Sequence, residues 1–428
     1  MNRKKILLMA LAFVCAAGIS RAEGRSDNTE ARMRKLEAAL ARMETELKEL
    51  RAEQAKIAEV PVDRKKIDAM VDKAFEEKKA DLKLVPDWVN NLKIKGDFRY
   101  RHEWIDDESE AADRNRHRIR ARVGVYGKIN DEVDFGVRLA SGSTTATTTN
   151  QDLTGGFSSK DIFLDLAYFD YHPAAVQGLK VLGGKIKNPY HKVGNSDLMF
   201  DNDVTPEGIA ATYKTKLGDN TDAFGTFGGY YVAERENDAD TSLWALQTGL
   251  TYQIPNMEKV YVTGGGGYFG YGNVQGETAL DGFNGNKNDG TDYDSDFDII
   301  QAFGEVGFPV CGLPFKVFGE YLENTGADSG EDHGYLLGAS IGKCKKPGSW
   351  QFAYNYRQLD ADAVIGALTE GTFAGGGTNV KGHTLSLAYQ LAKNWQLGVS
   401  YMLAEKTDTA TDNTTDHDVV LVDLKFKF

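Results

Sequence analysis

Long apolar runs are missing from this chain after Ile19. No later stretch approaches the roughly 20 apolar residues that a transmembrane helix needs. The chain also lacks a basic excess: its formal net charge is −13, and no long basic surface offsets it, which argues against a nucleic-acid partner. Membrane insertion through β-strands is not excluded, because such strands need only about 9–11 residues each and direct only every second side chain to lipid.

Motifs for catalysis and cofactor binding are also missing. The seven histidines are dispersed, no Gly-x-Ser-x-Gly elbow is present, and neither a zinc-type cysteine cluster nor a Cys-x-x-Cys-His haem motif occurs. Ser242 or Ser386 with His383 could be proposed as a hydrolase pair, but their spacing gives no support. The sequence therefore predicts a protein that is not an enzyme and that holds no cofactor or metal.

The first residues are typical of an export signal. Residues 1–5 are positively charged, residues 6–19 are apolar, and Ser20-Arg21-Ala22 offers small residues on either side of the arginine before a cleavage site. We predict a signal peptide over residues 1–22 and a mature start near Glu23.

A helical stretch follows the signal. Residues 28–58 contain no glycine or proline and repeat apolar residues at alternating steps of three and four. This spacing is a heptad seam and predicts a coiled coil over 23–60, with a lone amphipathic helix as the alternative. Pro61 ends it, and 61–90 is predicted as a charged helical linker. The seam residues are Met33, Leu36, Leu40, Met43, Leu47, Leu50, Gln54 and Ile57.

From Asn91 onward the pattern changes to period two. Leu92, Ile94, Phe98 and Tyr100 alternate with charged residues, so the segment has one face suited to lipid and one suited to water. We predict an all-β transmembrane barrel of about 16 antiparallel strands over 91–428. The segments lie at 91–104, 116–129, 132–141, 161–172, 178–187, 207–217, 221–234, 241–254, 258–271, 297–308, 313–323, 334–344, 349–359, 381–391, 394–405 and 417–428.

The connections between these segments alternate in length. After even-numbered segments they are tight, as at Asn130-Asp131, whereas after odd-numbered segments most are long and polar, as at 188–206 and 360–380. Short turns on one side and long loops on the other match the periplasmic and extracellular faces of an outer-membrane barrel. We expect the last segment to pair with the first at 92–104. Its apolar phase, predicted to face lipid, is Val420, Val422, Leu424, Phe426 and Phe428.

Arginines dominate the polar phase of the first three segments. Neighbouring strands lie about 4.8 Å apart, so these guanidinium groups would share one patch of wall. On the lipid side each arginine would cost about 2–4 kcal/mol at the bilayer midplane, which directs the patch to the lumen. The predicted pore-lining residues are Arg99, Arg101, Arg116, Arg118, Arg120, Arg122 and Arg138.

Acidic residues in 187–208 are candidates for facing this patch from an infolded loop. Opposed charges across a constriction would give a transverse field that orders water and filters polar solutes. Two alternatives stay open: ordinary lumen lining that neutralises acids, and an anion-selective filter, which the net acidic balance weakens. The candidate constriction residues are Asp197, Asp201, Asp203 and Glu207.

Two cysteines and one acidic loop complete the candidate sites. Cys311 opens the eleventh predicted strand and Cys344 closes the twelfth. Because the periplasm is oxidising, we predict a disulfide between them at the periplasmic rim, with two independent thiols as the alternative. Alternate carboxylates in 281–298 could hold Ca²⁺, but their spacing does not satisfy an EF-hand, and a hydrated loop is the favoured interpretation.

Several segments resemble the putative porin family of Gram-negative outer membranes. The resemblance covers essentially the whole mature chain, including the predicted coiled coil, and it implies a passive outer-membrane channel. Together with the heptad seam, it leads us to expect a homotrimer. The matching stretches are 88–100 (WVNNLKIKGDFRY), 114–124 (RNRHRIRARVG), 163–170 (FLDLAYFD), 183–190 (GGKIKNPY) and 198–208 (LMFDNDVTPEG).

These expectations define an outer-membrane porin with its coiled coil in the periplasm and with membrane lipid as a partner. Its expected function is a water-filled channel for the passive diffusion of small hydrophilic solutes and ions. One alternative is an anion-selective channel that uses the arginine patch. Another is an envelope tether whose coiled coil binds peptidoglycan. A third is a sheath for an electron-carrying partner, which would have to be supplied.

Overall fold

The computed structural model describes residues 87–236 and 239–428, the helical residues 40–49, and the single residues 34, 37, 38, 70 and 73. The chain divides into two compact units, Met1–Pro86 and Asp87–Phe428, and each is described by itself. The predicted signal peptide, most of the linker and part of the seam lie outside the described residues. Those seam positions are Met33, Leu36, Leu50, Gln54 and Ile57.

In the first unit, residues 40–49 are helical. Leu40, Met43 and Leu47 follow one another at steps of three and four, so they share a face, and each is more than two-fifths exposed. An exposed apolar stripe is what the heptad pattern predicts, and its pairing with another helix stays a prediction. In the part of the chain that the structure describes, no helix is both long enough and apolar enough to cross a membrane.

The second unit is a closed antiparallel β-barrel. A short 3-10 helix, Asp87–Asn91, precedes its first strand. Each long strand pairs with its neighbours in the sequence, and the last pairs with the first, with Trp104 opposite Val420. The described strands are β1 (Leu92–Asp107), β2 (Arg114–Lys128), β3 (Val133–Ser141), β4 (Ile162–Tyr171), β5 (Leu179–Lys185), β6 (Glu207–Lys216), β7 (Thr221–Ala233), β8 (Thr241–Gln253), β9 (Tyr261–Gly272), β10 (Asp298–Val310), β11 (Leu313–Asn324), β12 (His333–Gly342), β13 (Trp350–Leu359), β14 (Val380–Ala392), β15 (Trp395–Thr407) and β16 (Thr414–Lys427).

The predicted sixteen-stranded barrel is confirmed, and so is the pairing of its last strand with its first. The observed bounds differ from the predicted ones by a few residues: β1 continues to Asp107, and β16 begins at Thr414. One short strand, Gln151–Asp152, was not predicted. It pairs with β2 at Arg118 and Ile119, beyond the point where β3 ends.

Alternate residues of each strand face opposite sides of the barrel wall. On β8, Leu243 and Ala245 are buried inside the barrel, whereas Trp244 and Leu246 point outward and are at least half exposed. On β16, Val419 and Leu421 are buried, and Val422 lies on the outer face as predicted. The outer face therefore carries the apolar side chains that lipid covers in an outer-membrane barrel.

The two ends of the barrel differ in the same way as the sequence predicts. At one end the turns are tight; Cys311-Gly312 joins β10 to β11 with both residues at positive φ, 50° and 77°, as a type I′ hairpin turn requires. At the other end lie long loops. Two of them, residues 273–297 and 360–379, interlock: Asn286 Nδ2 donates hydrogen bonds to the carbonyl oxygens of Ala361 and Val364, each at 2.7 Å.

Candidate functional site

All the predicted pore-lining arginines share one phase of adjacent strands. In the β1–β2 register Arg99 lies opposite Arg120, and Arg101 lies opposite Arg118. This phase is the inner one, because the alternating residues, such as Phe98 and Tyr100, are exposed on the outer face. We call this patch the arginine wall. Its members are Arg99, Arg101, Arg116, Arg118, Arg120, Arg122 and Arg138.

The arginine wall is an ion-pair network. Asp97 on β1 accepts hydrogen bonds from Arg120 Nε at 2.9 Å and Arg122 Nε at 2.8 Å. Arg101 donates two hydrogen bonds to Asp423 on β16, at 2.7 and 2.9 Å. Sequence reasoning missed these acids, although Asp97 lies in the same strand phase as Arg99 and Arg101 and could have been found by that signal.

The loop-side part of the wall is paired in the same manner. Asp152, on the short strand beside β2, lies 2.6 Å from Arg118 Nε and 3.0 Å from Arg116 Nη1. Glu103, which is fully buried, also pairs with Arg116. Asp165 on β4 pairs with Arg138. Such networks neutralise packed cations, so most of the positive charge on this wall is locally compensated.

Arg99 differs from the rest of the wall. Its Nη2 donates a hydrogen bond to the side-chain oxygen of Asn150, and its Nε has no hydrogen-bond partner. In the part of the chain that the structure describes, no carboxylate forms an ion pair with it. The side chain is nevertheless only 8% exposed. Among the described residues, Arg99 is therefore the guanidinium of the wall that has an amide in place of a carboxylate as its direct partner.

The loop of residues 186–206, between β5 and β6, folds into the barrel. His191 N donates a hydrogen bond to Gln247 Oε1 on β8 at 2.7 Å, and Gly194 N donates one to Glu305 Oε2 on β10 at 3.0 Å. Gly194 has φ 60°, and a Cβ there would lie 2.1 Å from the ring of Phe318 on β11. Glycine thus allows the loop backbone to lie directly against the inner wall.

The same loop reaches the arginine wall at its other end. Asp203 Oδ1 lies 3.1 Å from Arg122 Nη1 and 3.8 Å from Arg120 Nη1. Its other oxygen accepts hydrogen bonds from the backbone N and the Oγ1 of Thr149, at 3.1 and 2.9 Å. Since β8 and β10 stand across a sixteen-stranded barrel from β2, the 186–206 loop crosses the lumen.

Two further predicted acids lie in this crossing loop. Asp197 Oδ1 lies 2.8 Å from Arg357 Nη2 on β13. Asp201 Oδ2 accepts a hydrogen bond from the backbone of Gly371 at 3.2 Å, which ties the loop to the 360–379 loop. The structure therefore brings Asp197, Asp201 and Asp203 together inside the barrel.

Glu207 does not join them. It is the first residue of β6 and shares the outward phase of Ile209, which is 61% exposed. Its carboxylate pairs with Lys185 Nζ at 2.6 Å, and its side chain is 64% exposed. The prediction that placed it with the inner acids is wrong, because the strand begins at this residue and its alternation directs the side chain outward.

A second inner loop contributes to the site without having been predicted. Residues 360–379 carry Glu370, whose carboxylate lies 4.0 Å from Arg357 Nη2. The loop also binds the 186–206 loop through its backbone, since Asp201 N donates to Leu368 O at 2.9 Å. The ring of Phe373 lies 4.7 Å from the guanidinium carbon of Arg357, a cation–π contact. No signal near Arg357 in the sequence pointed to these partners.

Three carboxyl groups with unlike proton affinities meet where the two inner loops join. Burial and the negative charge of Asp197 raise the pKa of Asp201 to about 7. The same two causes raise the pKa of Glu370 well above its ordinary value. For Asp197, burial acts to raise the pKa, but Arg357, a hydrogen bond from Glu370 and Lys192 hold it below the ordinary value. Of these two carboxyl groups, Asp197 therefore has the lowered pKa and Glu370 the raised one.

The predicted disulfide is not formed. Cys311 lies in the turn before β11 rather than on the strand, and it is exposed at φ 50°. Cys344 lies in the turn after β12, and its Sγ contacts Gln390 Oε1 on β14 at 3.5 Å. Both are free thiols, because the turn geometry removes Cys311 from the strand register that the prediction assumed.

The remaining candidates do not assemble into a reactive site. Ser386 faces the lumen and pairs with Ser400 Oγ at 2.9 Å, whereas His383 faces outward against Tyr354, so the two lie on opposite sides of the wall. In the acidic loop, Asp289 accepts hydrogen bonds from the backbone of Thr291 and Asp292. Over the residues that the structure describes, no three His, Cys, Asp or Glu side chains are grouped to hold a metal ion.

A protein-family model described as Putative porin matches the sequence over residues 106–308 and 301–428. The chain belongs to the Putative porin family. No curated protein matches it in sequence. The family and the closed barrel with a charged inner face identify an outer-membrane porin channel rather than an enzyme.

Two solved porins are among the structures similar to this chain. A triple mutant of the Rhodopseudomonas blastica porin has 12% sequence identity and a TM-score of 0.46, over 79% of this chain and 100% of that one. Salmonella typhi OmpF in complex with daunomycin has 14% identity and a TM-score of 0.48, over 79% of this chain and 98% of that one. The family assignment rests on the family model, because both similarities are low.

Proposed function

We propose that this porin conducts small hydrophilic solutes and ions by passive diffusion along the arginine wall. The observation that carries the proposal is the crossing of the lumen by the 186–206 loop. That loop is fixed to Gln247 on one side of the barrel and to Arg122, through Asp203, on the other. The crossing narrows the interior to a passage whose sides are charged, which keeps it wet and restricts the size of a solute.

The charges on the two sides of this passage are opposite in sign. The arginine wall lies on one side, and the inner loops carry Asp197, paired with Arg357, and Asp203, which contacts the wall at Arg122. Asp203 acts electrostatically on Arg99, and Glu370 acts on Arg101, so the loop acids lie within range of the wall. A transverse field of this kind orders water and favours polar over apolar solutes without a tight binding site.

Channel formation is tested by reconstituting the purified protein. In planar bilayers we expect discrete conductance steps, and in liposome swelling we expect sugars to enter at rates that fall with their size. Heat-denatured protein at the same concentration is the control. Absence of both steps and swelling, with protein present in the bilayer, would overturn the proposal.

An anion-selective channel is the second candidate, and Arg99 is the observation that favours it. This buried guanidinium has an amide rather than a carboxylate as its direct partner, so its positive charge is less compensated than that of the other wall arginines and attracts a permeating anion through space. The reversal potential under a salt gradient distinguishes the two candidates. If wild type is anion-selective and Arg99→Gln loses that selectivity, the anion filter is supported. If wild type is only weakly selective and Arg99→Gln leaves the selectivity unchanged, general diffusion is supported.

For the N-terminal region we propose a cleaved signal peptide, a periplasmic coiled coil and a homotrimer. The exposed stripe of Leu40, Met43 and Leu47 supports the coiled coil, because such a stripe is covered only by another helix. Slow migration of unheated protein on a denaturing gel, reduced to monomer mobility on heating, would support the trimer. Monomer mobility without heating would contradict it.

The coiled coil also supports a tether to peptidoglycan as an alternative role for this region. Deleting residues 25–85 separates the two roles. Loss of envelope attachment with intact conductance would favour the tether, whereas unaltered attachment would exclude it.

A further inference from the structure

The lumen has a second cationic region at its turn end, separate from the arginine wall. Lys93 and Lys95 continue the inner phase of β1 beyond Asp97, and Lys427 lies opposite Asp97 on β16. Lys95 Nζ lies 5.8 Å from the ring centre of Tyr126, which shares the inner phase of β2. These lysines therefore face the same lumen as the arginines, nearer to the turns.

These lysines lack the compensation that the arginines have. In the described part of the chain, no carboxylate forms an ion pair with Lys93, Lys95 or Lys427. Among the same described residues, Lys214, in the inner phase of β6, has no carboxylate ion pair either. Two other turn-end lysines do form ion pairs: Lys180 pairs with Asp170, and Lys316 pairs with Glu305. The turn-end half of the lumen thus keeps unpaired positive charge.

The loop end of the barrel has the opposite sign. Its loops are rich in aspartate and glutamate and contain few lysines or arginines. Many of these acids are exposed to solvent around the mouth rather than paired within the wall. The exposed acids include Glu108, Glu110, Asp113, Asp281, Asp289, Asp294, Asp328, Asp408 and Asp412. The channel is therefore negative at its loop end and positive at its turn end.

We propose that this axial separation of charge makes the porin rectify ionic current. The inference rests on the proposed function, since it requires a conducting channel. A region of the lumen lined by charges of one sign concentrates ions of the opposite sign. Cations therefore gather at the loop end and anions at the turn end. When the loop side is positive, the field drives both kinds of ion into the channel, and conductance rises. When it is negative, both are drawn out, and conductance falls.

The effect depends on ionic strength in a defined way. At about 0.1 M salt the Debye length is about 10 Å, comparable with the half-width of a narrow lumen, and at about 1 M it is about 3 Å. Rectification should therefore be strong in dilute salt and should fade towards a linear current–voltage relation in concentrated salt. A gating transition of the loops would not follow screening in this manner.

The test is a current–voltage curve of the full-length wild-type porin in symmetric KCl of about 0.1 M and about 1 M. Orientation is assigned in proteoliposomes with a membrane-impermeant maleimide, because Cys311 is exposed in a turn. The variant Lys93→Gln/Lys95→Gln/Lys427→Gln removes three charges from the lumen. The matched control Lys345→Gln/Lys346→Gln/Lys393→Gln removes three exposed charges from turns outside it.

We expect wild type and the control to conduct at least about twofold better with the loop side positive in dilute salt. We expect the lumen variant to lose most of this asymmetry at unchanged conductance in concentrated salt. A symmetric wild-type curve in dilute salt, or equal rectification in the lumen variant and the control, would overturn the inference. A protein that does not conduct at all would instead refute the proposed function.

Discussion

Arg122 Nη1 and Asp203 Oδ1 lie 3.1 Å apart, and this ion pair joins the barrel wall to the loop that crosses the lumen. The contact is doubly anchored, because Thr149 donates two hydrogen bonds to the other oxygen of Asp203. Asp203 thus holds the loop in place and also supplies negative charge beside Arg120 and Arg122. These two roles can be separated by experiment.

Asp203→Asn keeps the size of the side chain and much of its hydrogen bonding but removes the charge. We expect the reversal potential under a KCl gradient to shift towards anion selectivity, because Arg120 and Arg122 lose part of their compensation. Glu207→Gln is the matched control, since Glu207 faces outward and pairs with Lys185. Equal shifts in the two variants would show that Asp203 does not face the conducting path.

Ion selectivity should depend on pH through the carboxyl groups at the junction of the inner loops. The pKa of Asp201 is about 7. Above this value Asp201 is ionised, and below it the side chain is neutral. The charged groups that face it on the packed elements are Asp197, Asp203, Glu370, Lys192 and Arg357.

We therefore expect anion permeability to rise as the pH falls through about 7, because negative charge leaves the loop side of the passage. The raised pKa also means that the folded junction binds this proton more tightly than the unfolded chain, in which the pKa is about 3.9. The stability that the proton supplies is present at acidic pH and is lost as the pH rises through about 7. In Asp201→Asn, reversal potentials measured over the same range should show a weaker pH dependence. If the reversal potential of the variant depends on pH as that of wild type does, Asp201 is not the group responsible.

A substitution at Gly194 tests whether the 186–206 loop packs against the inner wall at Phe318. In Gly194→Ala the new Cβ would lie 2.1 Å from the Phe318 ring, at a φ of 60° that disfavours alanine. Overpacking of this kind typically lowers stability by about 1–3 kcal/mol, and the loop would move away from the ring to remove the clash. We expect altered single-channel conductance with more open-channel noise. Gly276→Ala has a similar φ, 75°, with nothing within 4 Å of its Cβ, and should conduct as wild type does.

The outer face of the barrel makes a separate prediction about stability. Leu246 is 50% exposed on the outer face of β8, near the middle of the strand. Leu246→Arg should lower the free energy of unfolding by about 2–4 kcal/mol, because an arginine at the lipid midplane is poorly solvated. Urea unfolding in lipid vesicles measures this. Lys214→Arg, on the inner phase, is the control and should cost little; similar losses in both would contradict the assignment of faces.

The fold could be predicted because its signals are local. Period-two alternation marks each strand, and unequal connection lengths mark the two ends of the barrel. The arginine wall followed from the phase of Arg99 through Arg122 alone. Strand bounds were less certain where a strand continues past its apolar residues, as β1 does to Asp107.

The partners of the wall were harder to predict, because they come from distant parts of the chain. Asp423 approaches Arg101 only when the barrel closes, and Glu370 approaches Arg357 only when the 360–379 loop folds inward. Glu207 was grouped with the loop acids although the predicted strand also begins there, so its outward direction could have been read from the alternation. Cys311 was assigned to the start of a strand, but it lies in the two-residue turn before β11.

The reversal potential of Arg118→Glu/Arg120→Glu tests the central claim most directly, which is that ions pass along the arginine wall. Wild type and the variant are compared in planar bilayers under the same KCl gradient, with unheated gel mobility as the check on folding. We predict channels in both and a clear shift towards cation selectivity in the variant. Folded variant channels with an unchanged reversal potential would contradict the account.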